Sequence, residues 1–263
     1  MLVDSHCHLT YDGLRDDQAG VIERAHAAGV GTMLGISTRA SEWAEVIALA
    51  DAHPDIWATV GIHPHEADTH EEVDAARLTA AAAHPKVVGI GETGLDYHYD
   101  KSDRDRQRAS FRAHIAAART TGLPLIVHTR DAEEDTAAIL SDEMGKGAFT
   151  GVIHCFTASS TFATQALALG FYISLSGILT FKNARDLQMI AATLPADRIL
   201  VETDSPFLAP VPKRGKPCEP AFVAHTAAFL AGLRGVTRDG LAATTTDNFF
   251  RLFTRATRPE LAA

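Results

Sequence analysis

Short apolar runs alternate with longer segments of helical periodicity along the chain. Eight runs rich in β-branched and small residues have the character of buried strands. They cover residues 2–3, 31–37, 56–62, 87–92, 123–128, 148–154, 171–176 and 198–204. Between them, apolar residues at helical spacing predict helices over residues 16–28, 41–53, 71–84, 103–121, 131–144, 160–169 and 184–194, with further helices after residue 217.

Eight strands that alternate with helices are typical of an α/β fold, the (β/α)8 TIM barrel, which takes about 250 residues as one domain. No linker or charge run divides the chain, so we predict a single domain over residues 1–263. In this fold the carboxyl ends of the strands meet at one face, where active sites lie.

Residues of metal-ligand type stand at the carboxyl ends of the predicted strands. They are His6, His8, Glu92, His128, His154 and Asp204. Because these ends meet at one face of a barrel, the six side chains are predicted to converge on a metal site.

Each part of this set also has a plainer interpretation. His6 and His8 share one face of a strand and can chelate one ion, or they are solvated histidines near the terminus. The Glu92 carboxylate is costly to bury unless it binds metal or pairs with an arginine, and its two oxygens could bridge two ions. A lone His128 or His154 would be a core or loop residue, whereas the pair on neighbouring strands favours a metal site.

Other polar residues are candidates for supporting roles. Asp4 and Glu202 share strand faces with His6 and Asp204, and we predict that they orient the ligands. Asp204 is nearest the end of its strand and is the predicted ligand and general base, beside Glu92 as the second catalytic carboxylate. Cys155 faces away from His154 on a regular strand and is expected in the core.

Several side chains could contact an anionic substrate. Those predicted to do so are His63, His65, Arg130, Arg214 and Lys216. The alternatives are solvated turn histidines and a solubilising basic loop. Four aromatic residues near the predicted mouth could stack bases or pack the loops, namely Tyr97, Tyr99, Phe181 and Phe207.

The charge balance restricts how a polyanion could be bound. The chain has 24 Lys and Arg against 33 Asp and Glu, a formal net charge of −9, whereas nucleic-acid-binding modules usually carry a basic field. A polyanionic substrate must therefore be held locally, by metal ions and a few cations. The three cysteines form no CxxC, and no leader or long apolar run is apparent, so we expect a cytoplasmic protein without disulfides or a membrane partner.

Nine motifs extend this pattern from end to end: Asp4-Ser-His-Cys-His-Leu9, Gly61-Ile-His-Pro-His65, Gly89-Ile-Gly-Glu-Thr-Gly-Leu-Asp-Tyr97, Val127-His-Thr-Arg-Asp131, His154-Cys-Phe-Thr157, Ser174-Leu-Ser-Gly177, Glu202-Thr-Asp-Ser-Pro206, Arg214-Gly-Lys216 and Asn248-Phe-Phe-Arg251. In this order they resemble the TatD family of metal-dependent hydrolases and deoxyribonucleases, within the amidohydrolase-like barrels. One departure is Cys218, where the family more often has asparagine before Glu-Pro.

The resemblance implies two divalent metal ions. One would be held by His6, His8, Glu92 and Asp204, and the other by Glu92, His128 and His154. Glu92 would take the bridging place that a carboxylated lysine has in related barrels. The mixed ligands leave Mg, Mn, Zn and Ni open.

The resemblance also implies an activity. It points to a 3′→5′ exonuclease that hydrolyses phosphodiester bonds of single-stranded DNA, and also of RNA, by metal-activated water. The same chemistry would suit a D-aminoacyl-tRNA deacylase or another ester or amide hydrolase. A non-catalytic metal-binding protein is the remaining alternative. No obligate protein partner is predicted.

Overall fold

All eight predicted strands lie side by side as parallel strands of one sheet. The computed structural model describes residues 1–69 and 74–259. The strands are β1 (Leu2–Cys7), β2 (Val30–Gly35), β3 (Ile56–Val60), β4 (Val87–Asp96), β5 (Leu125–Arg130), β6 (Gly151–Ile153), β7 (Tyr172–Leu175) and β8 (Ile199–Val201). Their order in the sheet follows the chain, and a parallel bridge between Cys7 and Ser205 joins the ends of β1 and β8. The predicted (β/α)8 barrel is confirmed.

Helices follow the strands in the predicted alternation. They are α1 (Gln18–Ala27), α2 (Trp43–Ala52), α3 (Ala75–Ala81), α4 (Arg104–Thr121), α5 (Glu133–Lys146), α6 (Ser160–Ala168), α7 (Arg185–Thr193), α8 (Val223–Arg234) and α9 (Arg238–Leu252). The start of the helix predicted over residues 71–84 lies outside the described residues, as does the end of the single domain predicted over residues 1–263. No helix in the described part of the chain is long and apolar enough to cross a membrane.

The strand ends differ from the predicted ones where the chain turns into the mouth of the barrel. Cys155 and Asp204 have positive φ angles of 43° and 59°, so the chain leaves β6 and β8 earlier than their apolar runs suggest. β4 instead continues past Glu92 to Asp96, paired with β5. Gly94 permits this, because a Cβ at its φ of 135° would collide with the His128 carbonyl oxygen.

The apolar side chains form two clusters, one on each side of the barrel wall. The larger cluster lies between the strands and the surrounding helices. The smaller one contains one side chain from each strand, such as Trp57 and Ile126, and packs against Phe249 of α9 and Phe253, which follows α9. α9 lies at the amino ends of the strands, where Thr246 donates to the Met1 carbonyl and Asn248 to the Ile199 carbonyl. The polar carboxyl ends of the strands are therefore left at the opposite face.

His114 of α4 supports the end of β3. Its buried ring accepts the Ile62 backbone N–H at Nε2 over 2.9 Å, and Nδ1 donates to the Ser110 carbonyl over 2.7 Å. Burial lowers the pKa of His114 to about 4, so the ring is neutral at neutral pH, as the acceptor role of Nε2 requires. His114 thereby holds the backbone that leads directly into His63.

We predict that His114 makes the fold sensitive to acid. Its pKa rises from about 4 in the folded protein to about 6.5 in the unfolded chain, so its stabilising contribution is present above pH 6.5 and is lost as the pH falls towards 4. The contribution of His114 to the free energy of unfolding should fall by about 3 kcal/mol over this range. Urea unfolding in chelator at pH 7.5 and 4.5 should show a smaller pH effect for His114→Gln than for the wild type. His98→Gln, which replaces a half-exposed histidine paired with Asp131, is the control for the loss of a histidine in general. Equal pH dependence in wild type and His114→Gln would contradict the prediction.

Candidate metal centre

The six predicted ligand side chains meet at the carboxyl-end face of the barrel. His6 belongs to β1 and His8 follows it directly, while Glu92 and His128 belong to β4 and β5. His154 and Asp204 lie just beyond β6 and β8. The structure therefore brings together side chains that are up to 198 positions apart in the sequence.

One group of ligand atoms surrounds the Oε2 atom of Glu92. His6 Nε2 lies 3.4 Å and His8 Nε2 3.9 Å from this oxygen. Asp204 Oδ1 lies 3.5 Å from His6 Nε2 and 3.4 Å from His8 Nε2, and the two Nε2 atoms are 3.3 Å apart. Four potential ligand atoms therefore face a common point.

A second group surrounds the other oxygen of the same carboxylate. Glu92 Oε1 lies 2.7 Å from His154 Nε2 and 3.1 Å from His128 Nδ1. These two ring nitrogens are 3.3 Å apart. His63 Nε2 also approaches Glu92 Oε1, at 3.4 Å. Each oxygen of Glu92 thus faces a different set of histidines, two at Oε2 and three at Oε1.

These separations suit metal coordination. Ligands at about 2.1 Å from one ion, in tetrahedral or octahedral geometry, lie roughly 3.0–3.4 Å from one another. The sets His6–His8–Glu92 and His63–Glu92–His128 each have their ligand atoms within 4.8 Å. Imidazole nitrogens with carboxylate oxygens, nearly all buried, form a donor set that fits divalent transition ions.

The hydrogen bonding of His63 argues against its being one of the ligands. Its Nδ1 accepts the His65 backbone N–H over 3.1 Å, so a neutral His63 ring carries its proton on Nε2. Burial lowers the pKa of His63 to about 4, which keeps the ring neutral. Nε2, the atom directed at Glu92, is therefore a hydrogen-bond donor and not a free lone pair.

Asp96 fixes two histidine rings at once. Its Oδ2 atom lies 3.0 Å from His128 Nε2 and 2.9 Å from His65 Nε2. Its Oδ1 atom accepts the backbone N–H groups of His98 and Tyr99. The bond to Nε2 leaves His128 Nδ1 as the atom directed at Glu92, the arrangement by which carboxylates orient histidine ligands.

The two predicted orienting carboxylates contact different parts of the site. Glu202 Oε1 lies 3.4 Å from His154 Nδ1 and accepts the Cys155 backbone N–H over 2.6 Å. Asp4 contacts no ligand ring; it accepts both the backbone N–H and the hydroxyl of Thr203. Burial raises the pKa of Asp4 to about 8. Asp4 therefore positions the backbone that carries Asp204.

The charges of the site favour a bound cation. Burial alone would raise the pKa of Glu92, but His154, His63 and His6 outweigh it and hold the pKa well below the usual range. Burial alone would lower the pKa of His128, but hydrogen bonds to Asp96 and Glu92 raise it. The carboxylates thus attract positive charge to the histidine pairs, which metal ions can supply in place of protons.

A cavity of about 680 Å³ opens above these ligands. Of the predicted substrate-binding residues, His63, His65 and Arg130 line it, whereas Arg214 and Lys216 do not. Arg214 instead lies 3.8 Å from the centre of the Phe181 ring. A larger depression of about 750 Å³ between α5 and α6 contains none of the predicted ligands.

Two of the four aromatic residues that were predicted near the mouth line the cavity, and two do not. Tyr99 and Phe207 line the cavity, whereas Tyr97 and Phe181 are absent from its lining. Tyr97 donates its hydroxyl to Asp135. The expectation that Cys155 packs in the core is wrong, because its positive φ turns the half-buried side chain to the cavity.

Several contributors were not predicted from the sequence. Tyr11 and Lys101 line the cavity, and Tyr11 stacks on His8 with ring centres 4.6 Å apart. For Asp96, the sequence left a loop residue and a residue that orients the ligands as alternatives, and its bond to His128 favours the second. Tyr11 and Lys101 lie in loops, where no periodicity indicates direction.

Known proteins of similar sequence and structure are metal-dependent hydrolases. Residues 3–254 match the family model described as TatD related DNase. The uncharacterized metal-dependent hydrolase YcfH of Escherichia coli K12 is 46% identical over 96% of this chain and 95% of its own length. The 3′-5′ ssDNA/RNA exonuclease TatD of Rahnella sp. Y9602 is 38% identical over 95% of this chain and 97% of its own. The crystal structure of YJJV, a TatD homologue from E. coli K12, superposes with a TM-score of 0.90 at 30% identity, covering 96% of this chain and 98% of that one.

The convergence of buried ligands predicts that divalent ions stabilise the fold. A metal at 100 times its dissociation constant should stabilise the folded state by about 2.7 kcal/mol. The melting temperature should fall when EDTA is added and recover when Zn²⁺ or Mn²⁺ is restored. His6→Gln should weaken this response, whereas His26→Gln, which alters a half-exposed histidine paired with Asp55, should retain it. Equal melting temperatures with and without EDTA would contradict the prediction.

Proposed function

The chain belongs to the family of TatD-related deoxyribonucleases, which are metal-dependent hydrolases, and from this premise we propose that it hydrolyses phosphodiester bonds of single-stranded DNA from the 3′ end. The observation that carries the proposal is the Glu92 carboxylate, whose two oxygens each face a pair of histidines at the floor of the cavity. A carboxylate shared in this way suits two adjacent cations, a common arrangement for phosphoryl transfer.

The ligands divide between two proposed metal positions. His6, His8, Glu92 and Asp204 would hold one divalent ion, and Glu92, His128 and His154 would hold the other. When bound, the ions would lower the pKa of water and neutralise charge on the phosphoryl oxygens.

Asp204 is the proposed base. Burial alone would raise the pKa of Asp204, but His8, His6 and His154 outweigh it and lower the pKa, so the carboxylate is ionised at neutral pH. Its side chain is 15% exposed and lines the cavity. It can therefore accept the proton of an attacking water molecule from the cavity side.

His63 is proposed to hold the substrate as a neutral donor. Its Nε2–H is directed at Glu92 Oε1, and the ring lines the cavity. A donor at this position can bond to a non-bridging phosphate oxygen and stabilise the charge that develops there. Because His63 stays neutral, this contribution needs no protonation at neutral pH.

The substrate class rests on charge and on the relatives. Arg130 and Lys101 line the cavity, where both lie over the Tyr99 ring, and within residues 1–69 and 74–259 neither makes an ion pair with a carboxylate. They are therefore free to bind phosphate. Two relatives, those of Rahnella and Erwinia tasmaniensis, are named 3′-5′ ssDNA/RNA exonucleases, which supports nucleic acid as substrate and the 3′ end as the site of attack.

We predict that Glu92 controls both metal positions. Glu92→Gln should lose most of the metal bound by the wild type, because a neutral amide offers less charge to either ion. His128→Ala should lose about half of it, since its ring belongs to one position only. Metal content after desalting can be measured by inductively coupled plasma mass spectrometry. Glu143→Gln provides the control, because this buried glutamate pairs with Arg112 and Arg119 outside the site. Full metal content in Glu92→Gln would contradict the bridging role.

The activity itself predicts a product ladder. A single-stranded DNA oligonucleotide labelled at its 5′ end should shorten from the 3′ end in the presence of Mg²⁺, Mn²⁺, Zn²⁺ or Ni²⁺. EDTA or His128→Ala should slow cleavage about 100-fold or more, since metal ions supply several kcal/mol of transition-state stabilisation. No cleavage with any of the four ions would reject the nuclease, and hydrolysis of D-aminoacyl-tRNA would then be measured.

A further inference from the structure

The two sides of the cavity above the ligands differ in charge. Tyr99 and Lys101 follow β4, and Arg130 ends β5, whereas Tyr11 follows β1 and Phe207 follows β8. In a closed barrel of eight strands, in the order β1 to β8, the β4–β5 side lies opposite the β8–β1 side. The cavity therefore has one aromatic side with lysine and arginine and an opposite aromatic side without a free cation, where Asp204 also lies.

The cationic side is a layer built on the Tyr99 ring. The Arg130 guanidinium carbon lies 4.7 Å and Lys101 Nζ 5.7 Å from the ring centre. The ring is 53% exposed, and His65 meets it edge-on at 5.4 Å. Since Asp96 bonds both the His65 ring and the Tyr99 backbone N–H, the layer is tied to the carboxylate that orients His128.

The opposite side has rings but no free cation. Phe207 is 51% exposed, and its ring lies 6.3 Å from both Tyr11 and His8. The remaining cation of the cavity lining, Arg39, is paired with Glu42 and Glu66. Within the described residues, cavity cations without a carboxylate partner thus occur on the Tyr99 side.

A strand that is cut from its 3′ end also carries its charge on one side, because the phosphate beyond the cleaved bond belongs to the preceding nucleotide. The terminal nucleoside has a base, a sugar and a 3′-hydroxyl, with no phosphate beyond the one that is cleaved. The preceding nucleotide has a base and a further phosphate on its 5′ side. Stacked rings suit either base, but only the preceding nucleotide offers a second phosphate to arginine and lysine.

We propose that Tyr99, Lys101 and Arg130 bind the nucleotide preceding the cleaved bond together with its 5′-phosphate, while Tyr11 and Phe207 bind the 3′-terminal nucleoside. The proposal rests on the proposed nuclease function and adds the direction in which the strand crosses the barrel. It assigns one subsite to each side of the cavity, so the contribution of each can be measured with substrates that differ by one group.

Three substrates separate the subsites. Thymidine 5′-(p-nitrophenyl phosphate) contains the terminal nucleoside and the cleaved bond without a preceding nucleotide. The dinucleotide d(TpT) adds the preceding nucleoside, and pd(TpT) adds only its 5′-phosphate. For the wild type, kcat/KM should be higher for pd(TpT) than for d(TpT), and this preference measures the phosphate contact. The p-nitrophenyl ester has a better leaving group, so its rate relative to d(TpT) is compared only between variants and the wild type.

Arg130→Ala and Lys101→Ala should each reduce the preference for pd(TpT) over d(TpT), about tenfold for Arg130, because a hydrogen bond to a charged group contributes about 1.5–3 kcal/mol. Tyr99→Leu should reduce the preference for d(TpT) over the p-nitrophenyl ester, about fivefold or more. Phe207→Leu should lower kcat/KM for all three substrates by a similar factor. The salt dependence of kcat/KM for pd(TpT) should become shallower in Arg130→Ala, because one contact between opposite charges that salt screens is lost.

The control is Arg104→Ala, because Arg104 also covers a tyrosine ring, Tyr97, at 4.2 Å but does not line the cavity. It should leave both preferences and the salt dependence unchanged. Melting temperature and metal content, measured for every variant, exclude a loss through unfolding.

The outcomes distinguish this inference from the function on which it rests. If the wild type cleaves none of the three substrates with any divalent ion, the nuclease and the subsites are both rejected. If it cleaves them with no preference for pd(TpT), or if Arg130→Ala and Lys101→Ala slow all three equally, the nuclease stands and the subsite assignment is overturned. A preference that is lost in Phe207→Leu and kept in Arg130→Ala would reverse the strand direction.

Discussion

The arrangement of the site depends on one buried carboxylate. Glu92 is 3% exposed, and such a group is stable only when both oxygens have charged or hydrogen-bonding partners. Here Oε2 faces His6 and His8, and Oε1 faces His128, His154 and His63. Because these partners come from strands around the whole barrel, the position of Glu92 sets where every other ligand must lie.

Much of the candidate site could be predicted because the strands of a parallel barrel end beside one another at one face. His6, Glu92 and His128 stand at the ends of apolar runs, and their approach follows from strand order alone. Asp96 and His114 were harder to assign. The Gly94 that precedes Asp96 is typical of a turn, but β4 continues through it and carries Asp96 to His65 and His128. His114 lies on a helix with no pattern that distinguishes it from other interior residues.

The basic loop after β8 shows that residue type alone does not predict where a side chain lies. Arg214 and Lys216 follow β8 and were expected near the substrate, yet neither lines the cavity, and Arg214 covers the Phe181 ring. Arg130 was expected for the same reason and does line it. The difference is that Arg130 is the last residue of a strand, whose direction the sheet determines, whereas the loop has many conformations compatible with its composition.

The location of the free cations is compatible with the proposed action of this acidic chain on a polyanion. With a net charge of −9, long-range steering of nucleic acid is unfavourable, and most arginines here are paired with carboxylates, as Arg108 is with Asp105 and Asp135. Arg130 and Lys101 lie against an aromatic ring instead. A ring holds a cation in place without neutralising it, so the charge remains available to phosphate. Affinity would then depend on a few short contacts close to the cleaved bond, which favours recognition of a strand end over binding along a duplex.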